Sequence, residues 1–124
     1  MGRLPSRGLE ARAPLVNAAT WTKGEKKIAR RAFETALEAA LSGIMAEFKS
    51  KAAAATTPEE MWFVEEFLRQ RRRELDQTFD YRYSQLPMVF ARVILLGHLD
   101  ERWLTGLSPD KLEEIGKFIS YARQ

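Results

Sequence analysis

From Thr22 onward the apolar residues of this chain recur at threes and fours, the spacing that lines one face of an α-helix. The pattern predicts an all-α chain of four helices and no strands. The first helix starts at Thr22, where Thr22 and Glu25 stand in capping-box spacing, and runs to about Ala54. Its apolar stripe is Ile28, Phe33, Ala36, Leu37, Ala40, Leu41, Ile44, Met45 and Phe48. A second start follows at Thr57-Pro58-Glu59-Glu60, with proline at the first helical position, where its missing N–H costs nothing.

No equally strong stop appears until Gly97, so the pattern predicts one very long central helix from Pro58 to Leu96, bent if anywhere at Pro87. Its stripe is Met61, Val64, Leu68, Leu75, Phe79, Leu86, Phe90 and Val93. Such a helix would be roughly 58 Å long, against a radius of gyration of about 14 Å for a compact domain of this length. A second copy of the chain is the simplest cover for the overhang, because most soluble homo-oligomers are two-fold dimers. Met61, Val64, Leu68 and Leu75 are then the expected dimer interface. A short third helix is expected near Asp100 to Thr105, stopped by Gly106, and a fourth from Ser108-Pro109 to about Arg123.

The stripe of the second helix lapses once, between Leu68 and Leu75. At 100° per residue Arg72 falls near the middle of that stripe, whereas Arg69 and Arg73 lie off it beside Trp62 and Glu66. An arginine in such a place needs a carboxylate across a dimer or another protein to meet. Arg71 and Arg73 are expected on a solvated face. Trp62 shares its direction with Glu66, Arg69 and Asp80, and a tryptophan among charged side chains is the usual make-up of a recognition patch.

Composition changes this picture little. The 124 residues are 45% hydrophobic and 30% charged, enough for one modest core, so residues 21–124 are expected as a single domain behind a disordered tail over residues 1–20. The tail carries Arg3, Arg7 and Arg12, but Glu10, Pro5 and Pro14 weaken a transit-peptide reading. With no cysteine there is no disulfide, thiolate nucleophile or cysteine-based metal site, which suits the cytoplasm. No apolar run approaches a membrane span.

The net charge of +3 and the Arg69 to Arg73 cluster raise a nucleic-acid module as a rival, but Glu65, Glu66, Glu74 and Asp76 break the cluster as a phosphate track. An enzyme is disfavoured. The single His98 follows the helix stop Gly97 with no base, nucleophile or metal set around it, and is expected to cap the last carbonyls of the second helix.

One family matches these residues in order and spacing. Trp21-Thr22 with Glu25, Phe33 on an alanine-rich helix, Met61-Trp62, Phe67-Leu68, Arg72, Glu74-Leu75-Asp76, Phe79-Asp80, Arg82, Ser84, Val89-Phe90-Ala91 and Gly97 resemble the fluorescence recovery proteins of cyanobacteria, from Trp21 to about Ile119. The resemblance implies an antiparallel helical homodimer without catalytic chemistry or cofactor. It implies binding to the orange carotenoid protein, whose return from the red quenching form to the orange form is hastened, so that quenching of the phycobilisome antenna stops. It places Trp62, Glu66 and Arg72 on the partner-binding patch and Met61 at the dimer contact; Arg69, which shares the direction of Trp62, is expected on the same patch. The chain departs from the family at Glu65, where histidine is common, at Met88, where phenylalanine stands on the partner surface, at Glu114, where lysine is common, and at Pro87. These changes bear on which protein is bound more than on the fold, so the alternative expectation is a recovery-protein-like helical dimer that binds a different protein partner in a bacterium without phycobilisomes.

Overall fold

The computed structural model describes residues 20–124, so the expected tail lies outside the described residues but for Thr20. Four α-helices and one 3-10 turn form, and no strand does among the described residues. Helix α1 spans Lys23–Ala54, α2 Pro58–Thr78, α3 Leu86–Leu95 and α4 Pro109–Ala122, and the 3-10 turn covers Glu101–Leu104. Both predicted capping boxes close. Thr22 accepts from the amide of Glu25 and Thr57 from that of Glu60, while each glutamate reaches back to the threonine's own amide. Hydrogen bonds from the amide and hydroxyl of Thr56, and from Thr57, hold the Glu60 carboxyl below its ordinary range.

The single long central helix does not form. It stops at Thr78, so α2 rises roughly 31 Å rather than 58 Å. The seven residues that follow turn their aromatics inward at every second position, in the order Phe79, Tyr81, Tyr83. Phe79 and Tyr81 meet Phe33 of α1 edge-on at 5.4 and 4.8 Å between ring centroids, and Tyr83 tilts against Trp21 at 5.4 Å. A helix would scatter these rings around its girth. The alternative conformation is supported locally, because Asp80 accepts from the amide and guanidinium of Arg82 and the Arg82 carbonyl accepts from Gln85 and Leu86. Pro87 is therefore the opening of α3, in the first turn where proline is tolerated, and not a bend.

Helix α3 ends as expected at Gly97, whose φ of 83° completes a Schellman closure. The Gly97 amide donates to the Ile94 carbonyl and the His98 amide to the Val93 carbonyl, so His98 caps through its backbone.

Helix α1 serves two halves of the molecule. Its N-terminal part presents Ala29, Ala32 and Ala36 to a head built from Leu86, Phe90, Ala91 and Val93 of α3, Leu99, Leu104 and Leu107 of the connecting turns, and Ile115 and Ile119 of α4. The buried face of α1 is this alanine row, shifted from the stripe that the larger residues suggested. Leu41 and Met45 of that stripe stay exposed. Its C-terminal part pairs with α2 through the short Ala55–Thr57 turn to make a stem.

One connection is tight. Gly106 sits at φ 108°, and a Cβ there would stand 2.6 Å from Cδ1 of Ile28. Because the end of Ile28 can swing aside, the backbone conformation carries most of the cost, and Gly106→Ala is expected to destabilise the chain by about 1–3 kcal/mol. Thermal unfolding checks this; a wild-type melting temperature would mean that the loop does not hold this φ.

Candidate functional site

The stem is where apolar and charged chemistry is left uncovered. Helix α2 contains no buried residue over its whole length. Its first turns expose three consecutive large side chains, Met61 at 51%, Trp62 at 61% and Phe63 at 71% of full exposure. Three successive helical positions point 100° apart, so no single core could take all of them. Phe63 was missed by sequence reasoning, and this consecutive spacing was the signal that at most one of the trio packs inward.

Of the expected dimer residues, Met61, Val64 and Leu68 come together. They line an open apolar trough of about 610 Å3 with Phe48 and Ala52 of α1, at the closed end of the hairpin. Leu75 lies apart, farther along α2, in a separate recess with Ile44, Glu47 and Phe79. The antiparallel course of the stem follows from these neighbours, since Phe48 lies beside Met61 and Phe33 beside Phe79.

The expected partner-binding residues divide between two places. Trp62, Glu66 and Arg69 stand at i, i+4 and i+7, which puts them in one row on α2. The row is bordered by ion pairs, Arg69 with Glu65 and Arg73 with Glu66 at 3.8 Å. Each such pair is exposed and contributes little to stability, but it fixes where the charges stand beside the tryptophan. Met88 belongs to the head, half-buried on α3. Asp80 leaves the row altogether, because α2 has already ended. Its carboxyl is held below the ordinary range by the hydrogen bonds from Arg82.

The three arginines of the lapse have different surroundings. Arg71, expected on a solvated face, is half-buried. It pairs with Glu74 at 3.0 Å, approaches Glu47 of α1 at 4.0 Å, and lies 4.9 Å from the Phe67 ring, so it braces the stem. Arg73 pairs with Glu66. Arg72 is exposed and takes part in none of the ion pairs or ring contacts found among the described residues. It continues the line of Leu68 one turn on, at the border between the apolar trough and the tryptophan row.

Among the described residues no group of three or more acidic or histidine side chains is disposed to hold a metal ion. None of the described helices is long and apolar enough to cross a membrane. The exposed surface of the stem is apolar on one side and aromatic and charged on the next.

Comparison with known proteins places the chain in a family. Residues 21–119 match the family model described as photoprotection regulator fluorescence recovery protein. The fluorescence recovery protein of Synechocystis is 31% identical over 97 residues, which is 78% of this chain and 89% of that protein. The solved structure of the Fremyella diplosiphon fluorescence recovery protein is 34% identical, with a TM-score of 0.76 over 84% of this chain and 99% of its own. The solved Synechocystis structure is 30% identical, with the same TM-score and coverage. From Trp21 to Ile119, through head and stem alike, the chain belongs to the fluorescence recovery protein family.

Proposed function

We propose that this chain is a dimeric, non-catalytic regulator of photoprotection that works in the cytoplasm without a cofactor. It binds the orange carotenoid protein, or a close relative of it, and hastens the return from the red quenching state to the orange state, ending quenching of the phycobilisome. The observation that carries this reading is an entire helix without one buried residue, exposing Trp62 in its first turns and, about 15 Å farther along, an Arg72 without an ion pair among the described residues. Tryptophan and arginine are the residues that most often anchor protein interfaces.

No turnover chemistry is needed. A binding protein shifts a conformational equilibrium by its difference in affinity for the two states, and speeds the change by favouring the arrangement in between. The test is the recovery of photoactivated orange carotenoid protein with and without this chain. Faster recovery supports the proposal, and unchanged kinetics at saturating protein overturn it.

The second copy is argued from the trough. Met61, Val64 and Leu68 share it with Phe48, and a matching trough from another chain would cover the apolar side of α2 while leaving the Trp62 row free. Met61→Glu places a charge in that contact and is expected to give monomers at low micromolar concentration by light scattering. A wild-type chain that is already monomeric there removes the dimer from the proposal.

Arg72 is the expected recognition residue among the three arginines. Arg72→Leu should weaken partner binding by about 2 kcal/mol or more, with helix content and dimer unchanged. Arg71→Leu should instead lower stability, since Arg71 braces the stem. Equal losses of binding from Arg71→Leu, Arg72→Leu and Arg73→Leu would show a diffuse basic surface.

A further inference from the structure

The head carries a second surface of different character. An open cleft of about 930 Å3 runs along the first turns of α1, closed on one side by the aromatic segment after α2 and on another by the 3-10 turn. Six cations line it, Lys23, Lys26, Lys27, Arg30, Arg31 and Arg102, against the single carboxylate of Glu34. None of the six forms an ion pair among the described residues, whereas Arg69, Arg71, Arg73, Arg82 and Lys111 all do.

Stability does not account for this cluster. Five of the cations lie in the first three turns of α1, the end at which the helix dipole favours acids and disfavours bases. With no ion pair among the described residues to offset it, the broken rule points to a site of function.

The cleft is also built. Arg30 lies 4.3 Å from the centroid of the Tyr81 ring and Lys26 lies 5.4 Å from that of Tyr83, so two of the cations rest on ring faces.

We propose that this cleft docks an acidic segment of a partner protein, through carboxylates laid along the α1 cations. Lys23 to Arg31 spans roughly 12 Å, the length of a short peptide stretch. Arginine's planar fork donates two parallel hydrogen bonds to the two oxygens of one carboxylate. Single-stranded nucleic acid fits less well, because it gains its affinity from bases stacked on open aromatic faces, and here the Tyr81 and Tyr83 rings already carry Arg30 and Lys26. The chain's own first nineteen residues are no complement, since they hold three arginines and one glutamate.

The surface is distinct from the Trp62 row. Arg31 and Phe48, which lies beside Met61, are 17 residues apart on α1, about 26 Å along the helix. The proposal stands whether or not the carotenoid protein is the partner.

Fluorescence anisotropy with a labelled Glu- and Asp-rich peptide tests it, on the full chain, with the matching Gln and Asn peptide, oligothymidylate and inorganic phosphate as further probes. The acidic peptide is expected to bind with an affinity that falls as salt rises. The exposed pair Lys27→Glu with Arg31→Glu, neither of which touches a ring, should weaken it about tenfold or more. Helix content by circular dichroism should be unchanged, and Trp62→Ala should bind the peptide like wild type. Equal binding by the charge-reversed variant or by the Gln and Asn peptide overturns the proposal. So does tighter binding of oligothymidylate, or competition by inorganic phosphate as effective as that of the acidic peptide.

Discussion

Glu25→Gln is expected to destabilise the folded chain by about 3–5 kcal/mol at neutral pH, because it strips a buried ion pair of one partner. Glu25 and Lys111 lie 3.2 Å apart with both side chains only 7% exposed. The Glu25 carboxylate also accepts from the amides of Thr22 at 3.0 Å and Ser108 at 2.8 Å. Lys111 donates to the Thr20 carbonyl at 2.7 Å and stands 5.0 Å from the Trp21 ring centroid. These bonds fasten the start of α1 to the start of α4 across more than eighty residues of chain. Glutamine keeps the shape but leaves the ammonium buried without a counter-charge.

Lys111→Met should cost less, since the carboxylate keeps two amide donors, and the double variant should recover part of the loss. Urea unfolding of the three variants measures this. A Glu25→Gln chain within about 0.5 kcal/mol of wild type would mean that the pair is hydrated in solution.

The pair also sets a pH dependence. Burial by itself would raise the Glu25 carboxyl, but the amides of Thr22 and Ser108 and the Lys111 ammonium outweigh it and hold the group below its ordinary value of about 4.5. A carboxyl lowered on folding contributes stability that is present above that ordinary value and is lost as the pH falls through the lowered one. Wild type should therefore lose stability more steeply below about pH 4.5 than Glu25→Gln does.

The second large effect is in the core of the head. Phe90 is fully buried in the same apolar cluster as the alanine row of α1, whose side chains have no spare length to fill a void. Phe90→Ala is expected to cost about 3–5 kcal/mol. Chemical unfolding gives the number, and a loss below about 1 kcal/mol would mean that the head repacks around the gap.

Much of this architecture is legible in the residues. Both threonine caps, the Gly97 stop and the serine-proline start of α4 are local chemistry, and each forms where its residues stand. The break after Thr78 is not signalled by any glycine or proline. It is won by tertiary packing, as Phe79, Tyr81 and Tyr83 reach Phe33 and Trp21 from a backbone that has left the helix, and their spacing of two was the available sign.

The core of α1 was misplaced for a related reason. The expected stripe holds Ala36 and Ala40 but not Ala29 and Ala32, the small residues that with Ala36 face the head cluster. In the candidate site, the direction of Trp62 and the place of Arg72 followed from the helical wheel. The bracing role of Arg71 did not, because Glu47 comes from a different helix.

Helix α1 passes without interruption from the head into the stem, so the two surfaces share a common axle. Their angular phase is written in the number of residues between Arg31 and Phe48. One residue added near Gly43, where a side chain meets nothing within 4 Å, turns one end against the other by about 100° and moves it about 1.5 Å. A partner that grips both surfaces at once reads that phase, and a partner that grips only one is blind to it.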